Sequence, residues 1–256
     1  MVSKAFANYP SLLDKTVFIT GGGSGIGADM VAAFARQGAR VAFVDMNASS
    51  AADLLASLRN VRTPPLFMAC DVSDITALQQ AVATAIAQFG EIDVLVNNVA
   101  NDERHDLLAV TPEYFDSKVA INMKAHFFAV QAVLPSMLKK GAGAIINVGS
   151  TGWQNKTAGY PVYGICKSAT NGLTRSLARE FGKHNIRVNT LTPGWVMTQR
   201  QLDKWVDAAG ELAMDQNQCL PGRMVGEDIA NMALFLASED SRMITAQEFV
   251  VDAGWT

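Results

Sequence analysis

The run Thr16-Val-Phe-Ile-Thr20 flows into Gly21-Gly-Gly-Ser-Gly-Ile-Gly27, and a helical pattern follows from Ala28 to Gln37, closed by Gly38. The first run is continuous rather than alternating, as a parallel strand covered on both faces should be. Glycines between a strand and a helix have a specific use. They adopt backbone angles forbidden to other residues, and they let a pyrophosphate approach the N–H groups at a helix N-terminus. A second strand, Arg40 to Val44, ends at Asp45, 18 residues beyond Gly27. A carboxylate there can accept hydrogen bonds from a ribose diol and repel a 2′-phosphate. No arginine stands beside the glycine loop or directly after Asp45 to welcome that phosphate. Asp45 also stands where it could cap the next helix.

The rest of the chain repeats the alternation. A helix from about Ala48 to Leu58 precedes Pro64-Pro65 and a strand from Leu66 to Cys70. Asp71-Val72 ends that strand, and Ser73 or Asp74 caps a helix reaching Phe89. Ile92 to Val96 is the fourth strand, with Asn97-Asn98-Val99-Ala100 at its end. Thr111-Pro112 opens a long helix to about Leu138, with Asn122 in its middle among apolar residues. A sixth strand, Ile186 to Leu191, ends at Pro193-Gly194. A helical region spans Gln199 to Asn217, a clearer helix spans Glu227 to Ala237, and Glu248 to Val251 is the last strand. No linker, repeat or low-complexity segment interrupts the alternation. The pattern predicts an α/β fold over residues 1–256: one doubly wound parallel sheet of about seven strands, helices on both faces, strand ends opening on one edge.

The fifth strand carries the chemistry. Ile145-Ile146-Asn147-Val148-Gly149-Ser150 is an apolar β-type run ending in a serine, and Tyr163-Gly164-Ile165-Cys166-Lys167 opens a helical pattern. Tyr163 and Lys167, four apart, share one helix face. If that helix passes over the end of the strand, a hydroxyl, a phenol and an ammonium converge. A phenol at its ordinary pKa of about 10 is a poor base at neutral pH, and a neighbouring ammonium favours the phenolate. Ser150 could then hold the oxygen that loses or gains a proton. Tyr160 has Gly164 at its fourth position and cannot play this part.

Composition excludes several classes. Hydrophobic residues make up 49% and charged ones 18%, enough for a large core and against disorder. A net charge of −3 offers no basic field to nucleic acid. Met1 to Lys15 lacks a cationic segment followed by an apolar one, and no apolar run approaches membrane-spanning length, so the chain reads as cytoplasmic. Cys70, Cys166 and Cys219 are odd in number and widely spaced, which favours reduced thiols over a disulfide or metal site. His105, His126 and His184 are scattered, so no metal is expected.

Taken together, Thr20-Gly-Gly-Gly-Ser-Gly-Ile-Gly27, Asn97-Asn98, Asn122, Ser150, Tyr163-x-x-x-Lys167 and Pro193-Gly194 resemble the short-chain dehydrogenase/reductase family across nearly the whole chain. The resemblance implies a Rossmann fold, a homotetramer and a nicotinamide cofactor. It implies Tyr163 as general acid/base and Ser150 as the group polarising the substrate oxygen. Lys167 would bind the nicotinamide ribose and lower the tyrosine pKa, and Asn122 would order a water. With Asp45, the cofactor is expected to be NAD. Its expected contacts are Gly21, Gly23, Ser24, Gly25, Ile26 and Gly27 in the first turn, then Asp45, Met46, Asp71 and Val72. Asn98, Val99, Ala100, Tyr163, Lys167, Pro193, Gly194, Val196 and Thr198 complete the set. One departure stands out: Val99-Ala100 replaces the family's Ala-Gly, adding a methyl where the backbone usually runs close to the cofactor.

A further likeness, to bacterial sugar (D-xylose-type) 1-dehydrogenases of that family, lies in Asn101-Asp-Glu-Arg-His105, Val148-Gly-Ser-Thr-Gly-Trp153, Thr198-Gln-Arg-Gln201, Gln218-Cys-Leu220 and Asp252-Ala-Gly-Trp255. A sugar pocket needs converging hydrogen-bond groups and an aromatic or two. Asn101, Asp102, Arg104 and His105 after the fourth strand, and Trp153, Gln154 and Asn155 after the fifth, supply them. Trp195, Gln199 and Arg200 after the sixth add more, beside Ser150 and Tyr163. The expected reaction is oxidation of the anomeric hydroxyl of a pentose, 6-deoxyhexose or hexose to the aldonolactone, with NAD. The rivals are a 3-oxoacyl or other carbonyl reductase or a polyol dehydrogenase of the same family, and a non-catalytic nucleotide-sensing protein.

Overall fold

Seven strands form one parallel sheet: β1 (Thr16–Thr20), β2 (Arg40–Asp45), β3 (Leu66–Ala69), β4 (Val94–Asn97), β5 (Gly143–Val148), β6 (Ile186–Pro193) and β7 (Glu248–Val251). Their order is β3-β2-β1-β4-β5-β6-β7, every neighbouring pair parallel. The computed structural model describes residues 6–256, so the first five residues of the Met1–Lys15 segment lie outside it. On one face, α1 (Gly25–Arg36) and α9 (Gly226–Ala237) pack on Val17, Ile19, Val41 and Phe43. On the other, α3 (Ile75–Phe89), α5 (Ala125–Lys140) and α6 (Pro161–Phe181) pack on Phe18, Ala42 and Leu95. Successive strand residues feed opposite cores, which is why these strands read as continuous apolar runs.

The remaining helices are α2 (Ala48–Ser57), α4 (Pro112–Val119), α7 (Gln199–Lys204) and α8 (Ala208–Asn217). Between Ser73 and Asp74 as the cap of α3, the structure selects Asp74, whose carboxylate accepts from Ala77 N at 3.0 Å. α6 begins at Pro161, two residues before Tyr163, because proline suits the first helical position. The long helix expected from Thr111 to Leu138 is broken. α4 passes through a π-helical turn, Ala120–Lys124, into α5. The buried Asn122 side chain causes this, since its Nδ2 donates to Lys118 O at 2.9 Å and occupies the carbonyl that the helical ladder would use. The Gln199–Asn217 region is likewise two helices, capped by Thr198 and by Asp207.

Strand order reverses between β1 and β4, so the crevice for a ligand opens over their C-terminal ends. The sheet also carries a polar row in register on four adjacent strands, Asn97, Asn147 and Thr190 buried and Glu248 half-buried. Asn97 Nδ2 donates to Asn147 Oδ1 at 2.9 Å, and Asn147 Nδ2 donates to Thr174 Oγ1 of α6, also at 2.9 Å. The Thr190 hydroxyl donates to the same Thr174 oxygen at 2.8 Å.

His126, on α5 beneath the end of β4, is buried, and its Nε2–H donates to Val99 O at 2.9 Å. Burial, aided by the nearby Lys167, lowers its pKa to about 3 from 6.5. The unfolded chain therefore binds a proton that the native chain refuses over this interval, so stability falls as pH drops from 6.5 toward 3. We predict that the wild-type melting temperature falls more steeply over that window than that of His126→Gln. Parallel curves would contradict the assignment.

Candidate active site

The glycine turn is built for close approach. Gly21 has φ +66°, and a Cβ on Gly27 would lie 1.9 Å from Gly21 O, so both must be glycine. The turn is pinned to β4, with Asn98 Nδ2 donating to Thr20 O at 3.1 Å and to Gly21 O at 2.9 Å. Thr20 Oγ1 accepts from the N–H groups of both Asn98 and Val99. Val99 and Ala100 follow this path without a positive φ, so the departure from the usual sequence puts no backbone strain there, and Ala100 lines the cleft. Asp45 closes the far end of the turn, its carboxylate accepting from Gly23 N and Asn47 N at 2.9 Å each.

An elongated cleft of about 660 Å³ runs along this edge from Asp45 to Tyr163. Of the expected cofactor residues, Gly21, Ser24, Gly25, Ile26, Gly27, Asp45, Met46, Asp71, Val72, Asn98, Val99, Ala100, Tyr163 and Thr198 line it. Gly23 instead braces Asp45, while Lys167, Pro193, Gly194 and Val196 line an adjoining cavity of about 330 Å³. Ser150 and Tyr163 also face that cavity.

Lys167 is 2% exposed, and its Nζ donates to Val148 O at 2.7 Å, 5.8 Å from the centre of the Tyr163 ring. Burial lowers the Lys167 pKa to about 8. Burial also raises that of Tyr163 well above the ordinary phenol value, and the Ser150 hydroxyl beside it works the other way. In the protein alone, burial is the largest influence on the phenol and works against its ionisation.

Asn122 lines neither space. Its Oδ1 accepts from Asn101 N at 2.8 Å and its Nδ2 donates to Asn101 O at 3.2 Å, so the side chain holds the loop after β4. The expected substrate residues divide. Ser150, Tyr163, Arg104 and Trp195 line the smaller cavity, whereas Asn101, Gln199 and Arg200 line only the cleft. His105, Trp153 and Gln154 line neither. The His105 ring is held beside Glu103 O and the Tyr114 hydroxyl. Gln154 donates to Glu248 at 2.9 Å, and Trp153 lies at the surface, 36% exposed. Tyr160, Gln201 and Trp255 line the cavity and were not singled out for it. Arg104 lies 3.8 Å over the Tyr160 ring, and Trp255 packs 6.2 Å from Trp195. A serine, phenol and buried amine at the meeting point of a long cleft and a polar, aromatic cavity can move a proton to or from a hydroxyl or carbonyl oxygen.

The family described as enoyl-(acyl carrier protein) reductase matches residues 21–256, and with the relatives below it places this chain in the short-chain dehydrogenase/reductase family. D-xylose 1-dehydrogenase of Caulobacter vibrioides (strain NA1000 / CB15N) is 45% identical, over 97% of this chain and 98% of that protein. A probable galactose dehydrogenase of Rhizobium meliloti is 41% identical, over 97% of each. A solved blue fluorescent protein from a metagenomic library, in complex with NADPH, is 36% identical with a TM-score of 0.88, covering 96% of this chain and 99% of that one. Members of the family use a nicotinamide cofactor. The residues here fit one, since Gly21, Ser24, Gly25, Ile26 and Gly27 line, at the N-terminus of α1, one end of a cleft that also reaches Tyr163. Among the described residues no cluster of His, Cys, Asp or Glu is placed to hold a metal, and no helix is long and apolar enough to cross a membrane.

A prediction follows for Lys167. Between about pH 8 and 10.5 the unfolded lysine keeps a proton that the native one has lost, so stability rises with pH in that interval. Chemical denaturation of the cofactor-free protein should show this rise, and Lys167→Met should remove it. The same slope in both proteins would contradict the prediction.

Proposed function

We infer that the protein oxidises the anomeric hydroxyl of an aldose to the aldonolactone, using NAD. The observation that carries this reading is the wall of Ser150 and Tyr163 facing a cavity whose other walls combine Arg104, Asn155 and Gln201 with the rings of Trp195 and Trp255. Polar groups suit hydroxyls and the aromatic rings suit the C–H faces of a sugar, whereas a long acyl chain would need apolar walls. The named activities of the Caulobacter and Rhizobium relatives support the same substrate class.

In this reading Ser150 Oγ holds the anomeric oxygen and the Tyr163 phenolate takes its proton. Lys167, anchored on Val148 O, keeps positive charge beside the phenol at neutral pH, and its hydrogen bond fixes its distance from the ring. Residues of the Gly21–Gly27 turn and Asp45 would hold the dinucleotide, which when bound supplies the acceptor for the hydrogen and electron pair from C1. Aldose and NAD thus give lactone, NADH and one proton. Incubation with a panel of aldoses and detection of aldonolactone alongside NADH tests the reading. Turnover confined to polyols, sterols or acyl thioesters would overturn it. The exposed apolar side chains of Met123, Phe127 and Ile165 support the homotetramer that the family resemblance implies.

For the base, we predict that Tyr163→Phe lowers kcat at least about 100-fold while the cofactor still binds, as loss of general acid–base catalysis should. A near wild-type rate would remove Tyr163 from the mechanism. For the cofactor, the Asp45 carboxylate against Gly23 N favours a ribose diol over a 2′-phosphate. Asp45→Ala should raise the efficiency with NADP relative to NAD. Equal or better wild-type use of NADP would contradict this.

A further inference from the structure

Among the described residues, Asp102 is the one carboxylate lining the cavity of Ser150 and Tyr163. Its position carries a cost, because its charge raises the pKa of the very phenol that must ionise. It is nonetheless braced on α7. Asp102 Oδ1 accepts from Arg200 Nε at 3.1 Å, with Arg200 Nη2 ion-paired 3.0 Å from the same oxygen, and Oδ2 accepts from Gln201 Nε2 at 2.7 Å. Gln201 is itself oriented, its Oε1 accepting from Trp195 Nε1 at 3.0 Å. This chain fixes which way the Gln201 amide points, and so which oxygen of Asp102 it meets. Each carboxylate oxygen has two acceptor positions. The arginine guanidinium covers Oδ1, and Gln201 takes one position on Oδ2, leaving the other.

We propose that Asp102 is the specificity-determining residue, its Oδ2 accepting a hydrogen bond from one ring hydroxyl of the sugar away from C1. The proposal rests on the aldose reading and sharpens it. A neutral donor is what the remaining position requires. An anionic group would be repelled, and an apolar one would strip the carboxylate of water without replacing the hydrogen bond. A site built around such a bond rejects substrates that lack the hydroxyl more strongly than a shape-selective pocket can. Trp195 serves twice, since its N–H orients Gln201 while the indole lines the cavity.

The test is steady-state kinetics with the best aldose and its 2-, 3- and 4-deoxy analogues, with NAD. On the wild-type enzyme one analogue should lose roughly 10- to 100-fold in kcat/KM, the scale of one hydrogen bond to a charged group. On Asp102→Asn and Asp102→Ala that analogue and its parent should come within about threefold of each other, because the group that told them apart is gone. Arg200→Gln keeps the carboxylate and should keep the discrimination, which separates direct contact from bracing. If Asp102→Ala does not fold, Asp102→Asn carries the same comparison. Deoxy analogues all as good as the parent on the wild-type enzyme, or undiminished discrimination in Asp102→Asn, would overturn the proposal. Wild-type enzyme that makes no lactone from any aldose would overturn the aldose reading itself, a separate and recognisable result.

Discussion

Hydrogen bonds from α6 to the carboxyl end of β5, the middle of β6 and the first residue of β7 hold the candidate site together. The inward face of α6 is mixed, with Lys167, Thr170 and Thr174 buried beside Val162, Cys166, Leu177 and Ala178. Lys167 meets Val148 O, Asn171 meets the Glu248 carboxylate at 2.8 Å, and Thr174 meets Asn147 and Thr190. Glu248 gathers three neutral donors from three segments, with Thr192 at 2.6 Å and Gln154 at 2.9 Å besides Asn171. Each contact depends on register, since a one-residue slip of a strand would turn its side chain to the other face. The paired groups Asn147, Thr174 and Thr190 tie α6 to β5 and β6. Ser150, two residues past β5, and Tyr163, four before Lys167, inherit that precision.

The opposite wall of the site is organised by five consecutive residues. Asn101 is held by Asn122, Asp102 by α7, and Glu103 by Lys118 on α4. Arg104 lies over Tyr160 at the start of α6, and His105 N donates to Gly159 O at 2.7 Å. One loop thus ties the π turn, the helix flanking the cleft and the catalytic helix. Its outer anchor, α7, is short and has no buried residue of its own. Few buried contacts and exposed polar bonds are what an element that yields to an entering ligand should have.

The sheet and the glycine turn were legible because the central strands bury both faces and the glycine turn uses residues with one physical purpose. Tyr163 and Lys167 share a helix face by their four-residue spacing, and Ser150 and the glycine turn in the same chain are what made that spacing stand out. The residues expected to meet a substrate were less legible. Gln154 and His105 have the right chemistry for a pocket, but their partners are Glu248 on the last strand and Tyr114 on α4, and no local pattern reports contacts at such separations. Tyr160 reads only as the residue before a proline, and its ring enters the cavity because Arg104, 56 residues earlier, packs on it. The break at Asn122 was hidden for the same reason. An asparagine between apolar residues can face water or the interior, and only the loop from Asn101 decides which.

In the proposed reaction the Tyr163 phenol is the base, yet burial holds its pKa above the ordinary 10.0 and lowers that of Lys167 to about 8. The phenol is thus a reluctant base in the protein alone, and a second positive charge close by would lower its pKa. The oxidised nicotinamide ring carries such a charge, and the cleft that would hold it ends at Tyr163. The direct measurement is ultraviolet difference titration of tyrosinate in wild type against Tyr163→Phe, with and without oxidised cofactor. The account predicts that the Tyr163 signal appears only above the ordinary phenol range in the protein alone and moves to lower pH when the cofactor is bound. A phenol that ionises at or below its ordinary value without cofactor, or one that does not move when cofactor binds, would contradict it.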